Sequence, residues 1–247
     1  MGRMLVQEVT QHPGAELSGG TARPGSDLVG QSVGRVAVTD DADALFAASD
    51  VVIDFTRPEL LAQHLDLAQR HKKALVIGTT GLDKTARAGI EAASRSVPLV
   101  QAANMSVGVT LLGQLVKQLA AQLDAATFDI EIVEMHHRHK IDAPSGTALA
   151  LAEAAAAGRE VQLSDVARKS RDGQIGARPE GEIGVSTLRG GDVVGDHTVI
   201  FAADGERIEI THKASSRQIF ARGAVRAALW AAGRKPGLYS MLDVLGL

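Results

Sequence analysis

Short apolar runs closed by small polar residues recur through the first hundred positions. Val51-Val52-Ile53-Asp54-Phe55 ends in Thr56-Arg57-Pro58, Ala74-Leu75-Val76-Ile77 ends in Gly78-Thr79-Thr80-Gly81, and Pro98-Leu99-Val100-Gln101-Ala102 ends in Ala103-Asn104-Met105. Between and before them lie stretches with helical spacing, residues 42–48, 59–71 and 83–95. Unbroken apolar runs of this length read as strands buried on both faces. Their alternation with helices predicts a parallel sheet covered on two sides. Pro58 suits the first turn of the helix it opens. In such sheets ligands bind beyond the carboxyl ends of the strands. Nearer the start, residues 3–12 read as a short amphipathic helix stopped by Pro13-Gly14, and residues 15–22 as a strand running into the loop Arg23-Pro24-Gly25.

The pattern changes near residue 107. Residues 107–123 form a long apolar helix candidate. Residues 129–134 then alternate, with Asp129, Glu131 and Glu134 set against Ile130, Ile132 and Val133, with one slip. A helix is expected over 145–157, and strands over 182–188, 192–202 and 207–212. Open alternation and the turns Gly190-Gly191 and Asp204-Gly205 predict an antiparallel or mixed sheet with one exposed face. Residues 219–232 are a last helix, stopped by Gly233. The whole reads as an α/β domain with an inserted α+β domain.

Composition narrows the partners. The 247 residues allow one large domain or two modest ones. A net charge of −3 leaves no broad basic surface for nucleic acid, and 3% aromatic residues are too few for a base-stacking platform. The absence of cysteine removes disulfides, thiolate metal sites and cysteine nucleophiles, and it fits a reducing compartment. No apolar run approaches the ~20 residues that span a bilayer. Glu8 and His12 stand where a signal peptide needs an apolar core. A cytoplasmic enzyme or binding protein is expected, without membrane or nucleic acid as partner.

The densest chemistry is His136-His137-Arg138-His139-Lys140, which follows a strand and precedes Ile141-Asp142-Ala143-Pro144-Ser145-Gly146-Thr147. Three readings compete. One is a solvated basic turn. Another is a metal site, disfavoured because Arg138 and Lys140 would repel a divalent cation. The last is a site that binds an anion and transfers a proton, since histidine titrates near neutral pH. Ser145 is a good N-cap, and the helix it opens offers N–H groups and a positive dipole end to a carboxylate or phosphate. Gly146 would let an anion approach the backbone. The loops Gly78-Thr79-Thr80 and Ala102-Ala103-Asn104-Met105 together suit a nucleotide lying across the sheet edge.

The run from Glu134 to Ala148 resembles the signature of the dihydrodipicolinate reductase family. The likeness extends, in the family's order, over Ile53 to Pro58, Val76 to Gly81, Ala103 to Val109, Arg189 to His197 and Ile210 to Arg217. It implies a Rossmann-like dinucleotide-binding domain over residues 1–106 and 218–247, and a substrate-binding and oligomerisation domain over 107–217. It also implies a cytoplasmic homotetramer of lysine and diaminopimelate biosynthesis that uses NADPH or NADH to reduce a cyclic dicarboxylate. By the same likeness His136 and Lys140 supply protons, and His137, Gly146 and Thr147 hold the substrate. Met1, Arg23, Gly78, Thr79, Thr80, Ala102, Ala103, Asn104 and Met105 line the cofactor. Arg23, next to Ala22 where an acidic residue would hold a ribose hydroxyl, suggests acceptance of the 2′-phosphate of NADPH. In the family a first strand and a Gly-rich turn precede the first helix, and Met1-Gly2-Arg3 matches only the end of that turn. A sheet without that strand is therefore expected. An alternative follows: an inactive or regulatory relative that binds dicarboxylate but holds cofactor poorly.

Overall fold

Ala74–Ile77 is buried at every position, as a strand with partners on both edges and helices on both faces must be. The computed structural model describes residues 1–247. Its elements, in order, are α1 (Gly2–Gln11), β1 (Gly20–Thr21), β2 (Ser32–Val33), β3 (Val36–Thr39), α2 (Ala42–Ala48), β4 (Val51–Asp54), α3 (Pro58–His71), β5 (Ala74–Ile77), α4 (Lys84–Ser94), β6 (Pro98–Gln101), α5 (Val107–Gln122), β7 (Asp129–His136), α6 (Gly146–Gly158), α7 (Leu163–Val166), β8 (Ala167–Arg168), β9 (Ile183–Arg189), β10 (Gly195–Ala203), β11 (Glu206–Ala214), α8 (Gln218–Ala231), β12 (Gly237–Tyr239) and α9 (Met241–Leu245). They form two units, Met1–Val107 with Arg217–Leu247, and Gly108–Ser216.

The first unit is built on a parallel sheet of order β12-β6-β5-β4. Alternate residues of its strands serve opposite cores. Leu75, Ile77 and Leu99 pack with Phe46, Leu61 and Ile90 from α2, α3 and α4. Ala74, Val76 and Val100 pack with Ala224, Ala227, Ala231 and Met241 from α8 and α9. Asp83 caps α4 by accepting from the Ala86 N–H at 2.7 Å.

A separate small sheet has the order β1-β3-β2. Residues 15–22 were expected as one strand, but only Gly20–Thr21 pairs. The Gly19-Gly20 pair weakens the run, and β1 has β3 as its sole strand partner. β4 likewise pairs on one side only, with β5. No strand lies between β1 and β4, and residues of both line one mostly apolar cavity of about 670 Å³, with Leu5, Val6, Leu17 and Phe46.

The second unit carries a mixed sheet of order β11-β10-β7-β9-β8. β7 and β8 run parallel to β9, and β10 runs antiparallel to β7 and β11. α5 and α6 cover one face: Leu112, Val116, Leu151 and Ala155 pack on Ile130, Ile132, Val185, Val199 and Phe201. On the other face Arg171 pairs with Glu131 and Glu182, and Arg178 with Asp129 and Glu131, tying the loop before β9 to the sheet. No helix of the chain is long and apolar enough to cross a membrane.

Candidate active site

Burial alternates without a break along β7, placing Ile130, Ile132, Glu134 and His136 on one face. The sequence pattern set Glu134 with the outward Asp129 and Glu131. The backbone keeps strict period, so Glu134 points inward and Val133 takes the other face. The slip lies in the chemistry, because the buried face passes from apolar core to polar site along one strand.

Neighbouring strands complete that polar end by register. β9 sets Thr187 opposite Glu134 and Arg189 opposite His136. β10 sets His197 opposite Glu134, and its first residue, Gly195, lies beside the His136 ring. Glu134, with 0% exposure, is met from every side. Its Oε2 accepts from His136 Nδ1 at 2.6 Å and from Arg189 Nη1 at 2.8 Å. Its Oε1 accepts from the Ser145 N–H at 2.9 Å and from Arg189 Nη2 at 3.0 Å. Burial alone would raise its pKa. The hydrogen bonds from Arg189, His136 and Ser145 outweigh burial and hold the carboxyl below its ordinary value.

An ionised Glu134 can only accept, so His136 carries a proton on Nδ1 and presents Nε2. A Cβ at Gly195 would lie 2.9 Å from Nε2, so the missing side chain there keeps room beside that atom. His197 meets the His136 ring edge-on, with centroids 5.1 Å apart. Burial and the neighbouring His136 lower the pKa of His197 to about 4, so it is neutral near pH 7. Its Nε2 lies 3.1 Å from Ser145 Oγ.

The segment from β7 to α6 carries the other residues singled out in the second unit. The His137 N–H donates to the Val193 carbonyl at 2.7 Å, and the Arg138 N–H to that of Gly191 at 3.2 Å. Lys140 Nζ reaches both oxygens of Asp142, and Arg189 Nη2 donates to the Asp142 carbonyl. Ser145 Oγ caps α6 by accepting from the Ala148 N–H at 3.1 Å. A Cβ at Gly146 would meet nothing within 4 Å, so the space over that residue is open, with Thr147 next in the first turn. His136, His137, Lys140, Gly146 and Thr147 thus share one strand-to-helix connection. The sequence reading did not single out Glu134, Arg189 and His197 as site residues. Their signal was the broken alternation at Glu134 and the run from Arg189 to His197.

In the first unit a second buried carboxylate organises the strand ends. Asp54, 2% exposed, accepts from the Thr56 N–H at 2.7 Å, Thr56 Oγ1 at 2.6 Å, His64 Nδ1 at 2.8 Å and Thr79 Oγ1 at 3.2 Å. The Thr79 hydroxyl is thus turned inward, while Thr80 and Ala103 are exposed. The Met105 side chain belongs to the core, so it offers a ligand only backbone. The Ala102 N–H donates to the Ile77 carbonyl at 3.2 Å, and Asn104 Oδ1 accepts from the Ser106 N–H at 2.8 Å. The Met1 carbonyl accepts from the Met4 and Leu5 N–H groups at the start of α1. Arg23, exposed, opens a turn just past β1 that is closed by the Ser26 N–H on its carbonyl at 3.1 Å.

Comparison with known proteins covers the whole chain. Residues 1–105 match the family described as dihydrodipicolinate reductase, N-terminus, and residues 108–245 match its C-terminus counterpart. The 4-hydroxy-tetrahydrodipicolinate reductase of Dinoroseobacter shibae is 52% identical over 255 aligned residues, which take in 100% of this chain and 94% of that protein. The protein of the same name from Beijerinckia indica subsp. indica is also 52% identical, with the same coverage. Among solved structures, a dipicolinate-bound dihydrodipicolinate reductase from Paenisporosarcina sp. TG-14 shares the fold, with a TM-score of 0.76 and 24% identity over 98% of this chain and 94% of that one.

Proposed function

The chain belongs to the dihydrodipicolinate reductase family, and from that premise we infer the reaction and the residues that carry it. The protein is an NAD(P)H-dependent oxidoreductase that reduces 4-hydroxy-tetrahydrodipicolinate to tetrahydrodipicolinate in diaminopimelate and lysine biosynthesis. The alternative of an inactive relative gains no support from these comparisons.

The observation that carries the residue roles is the buried Glu134–His136 pair beside the capped start of α6. Gly146 and Thr147 open that helix, where the dipole and backbone N–H groups suit a substrate carboxylate. Lys140 adds positive charge and His137 a polar contact for a small dicarboxylate. Lys140 through Nζ, and His136 as an imidazolium that has taken up a second proton on Nε2, donate the protons that neutralise charge developing on the reduced substrate.

The first unit suits a nicotinamide dinucleotide. β4, β5 and β6 are parallel and in register, so their carboxyl ends share one edge, where Thr56, Arg57, Thr80 and Ala103 are exposed. The cavity of about 670 Å³ is lined by Gly2 and Arg3 of α1, by Gly20 to Ala22 and by Asp54 to Thr56, within the usual size of small-molecule sites. Backbone of Gly78, Thr79, Ala102, Asn104 and Met105 and the exposed Thr80 and Ala103 would hold the nicotinamide end. Met1 and Arg23 would meet phosphates. When bound, the cofactor supplies the hydride. We further propose a cytoplasmic homotetramer assembled through the unit Gly108–Ser216.

The test is oxidation of NADPH by the purified chain on freshly generated substrate. Turnover is expected with the wild type, and a hundredfold or greater loss with His136→Gln and with Lys140→Ala at unchanged circular dichroism. No oxidation by the wild type with either NADPH or NADH refutes the reaction. A variant retaining near-normal turnover refutes the role given to that residue.

A further inference from the structure

We propose that Glu134 is a positioning residue that sets two parts of the site at once, fixing the tautomer of His136 and anchoring the segment that leads into α6. This rests on the roles given above to His136 and to the start of α6.

Each carboxylate oxygen serves both tasks. Oε2 takes the His136 Nδ1 proton, and Oε1 takes the Ser145 N–H, which belongs to the cap of α6. Arg189 spans both oxygens in a fork and reaches on to the Asp142 carbonyl, three residues before Ser145. Acid and anion site are therefore joined through one rigid, desolvated group rather than through a flexible loop. A carboxylate is the right chemistry, because all its partners donate and only an ionised acceptor satisfies them together. An amide at this position would turn an N–H toward Arg189 or Ser145. A hydrophobic residue would leave the Arg189 guanidinium without its counter-ion and the His136 Nδ1 proton without an acceptor in a buried site. Thr187, 3.4 Å from Oε1, is a further donor from β9.

Two variants of the full chain test this. Glu134→Gln removes the charge. Glu134→Asp keeps the charge for Arg189 but withdraws it from His136 by one methylene, and so guards against a folding failure of the first. Side-chain nitrogen NMR of the His136 ring reads the tautomer directly, whether or not the protein turns over. The neutral wild-type ring should show the proton on Nδ1, and each variant that folds should shift toward the Nε2 form. In steady-state kinetics kcat should fall about a hundredfold in Glu134→Gln and about tenfold in Glu134→Asp, with KM for NADPH within about twofold. An unchanged tautomer with kcat within about threefold in a folded variant overturns the proposal. An inactive wild type with the expected tautomer change would instead overturn the reductase reading and leave the positioning role standing.

Discussion

Lys140 Nζ lies 2.7 and 2.8 Å from the two oxygens of Asp142. Asp142 is more exposed than the lysine, and the hydrogen bond from Lys140 holds its carboxyl below the ordinary value. A dicarboxylate must compete with this anion for the same ammonium group. Asp142→Asn is expected to lower KM for substrate about three- to tenfold, an electrostatic gain that fades in high salt. A raised KM would show that Asp142 instead holds Lys140 in its working position.

Gly195 lies beside the His136 ring, and a Cβ there would lie 2.9 Å from Nε2. Gly195→Ala should press the imidazole away from its place and lower kcat at least tenfold, with only a small change in melting temperature. Equal loss of stability and activity would assign Gly195 a packing role alone.

Asp54 gathers Thr56, His64 and Thr79. Burial raises its pKa, but hydrogen bonds from His64 and Thr56 prevail, and the folded value lies below the usual 3.8. A depressed carboxyl stabilises the fold fully above the unfolded value, and the stabilisation is lost as pH falls through the folded one. Asp54→Asn should therefore cost about 2–3 kcal/mol near pH 7. That difference should shrink when unfolding is followed in denaturant from about pH 5 to about pH 2. Since the same carboxylate shapes the Thr56 and Thr79 loops, KM for NADPH should rise more than kcat falls. A stability difference constant with pH would remove the ionised Asp54 from this account.

Arg23 follows β1 and is exposed. If its guanidinium meets a 2′-phosphate, Arg23→Ala should weaken NADPH about tenfold and leave NADH within about twofold, measured by fluorescence titration. An unchanged ratio of the two affinities would place the nucleotide's ribose elsewhere.

Much of this was legible because packing demanded it. Ala74–Ile77 could be read to the residue, since four apolar positions between Lys73 and Gly78 allow little but a strand buried on both faces. β12 could not, because Pro236-Gly237 reads as a stop and only the open edge of β6 turns the next residues into a strand. The hairpin of β2 and β3 is too short to carry a periodic signal. In the site, the basic run at His136 stood out by density of charge. Glu134 was hidden, since a glutamate in an alternating strand reads as solvent-facing, and its inward direction follows from the register with Arg189 and His197.

The unit Gly108–Ser216 interrupts the other one, and this orders events on the ribosome. All five strands of its sheet are synthesised before Arg217–Leu247 is made. The sheet of the first unit still lacks β12 and the α8 cover of Ala74, Val76 and Val100 at that stage. The inserted unit is complete in sequence first, while the Val76 side of the first unit stays uncovered until synthesis is nearly over. Chaperone demand during translation should therefore concentrate on the first unit, the part with more strand edge still to be covered.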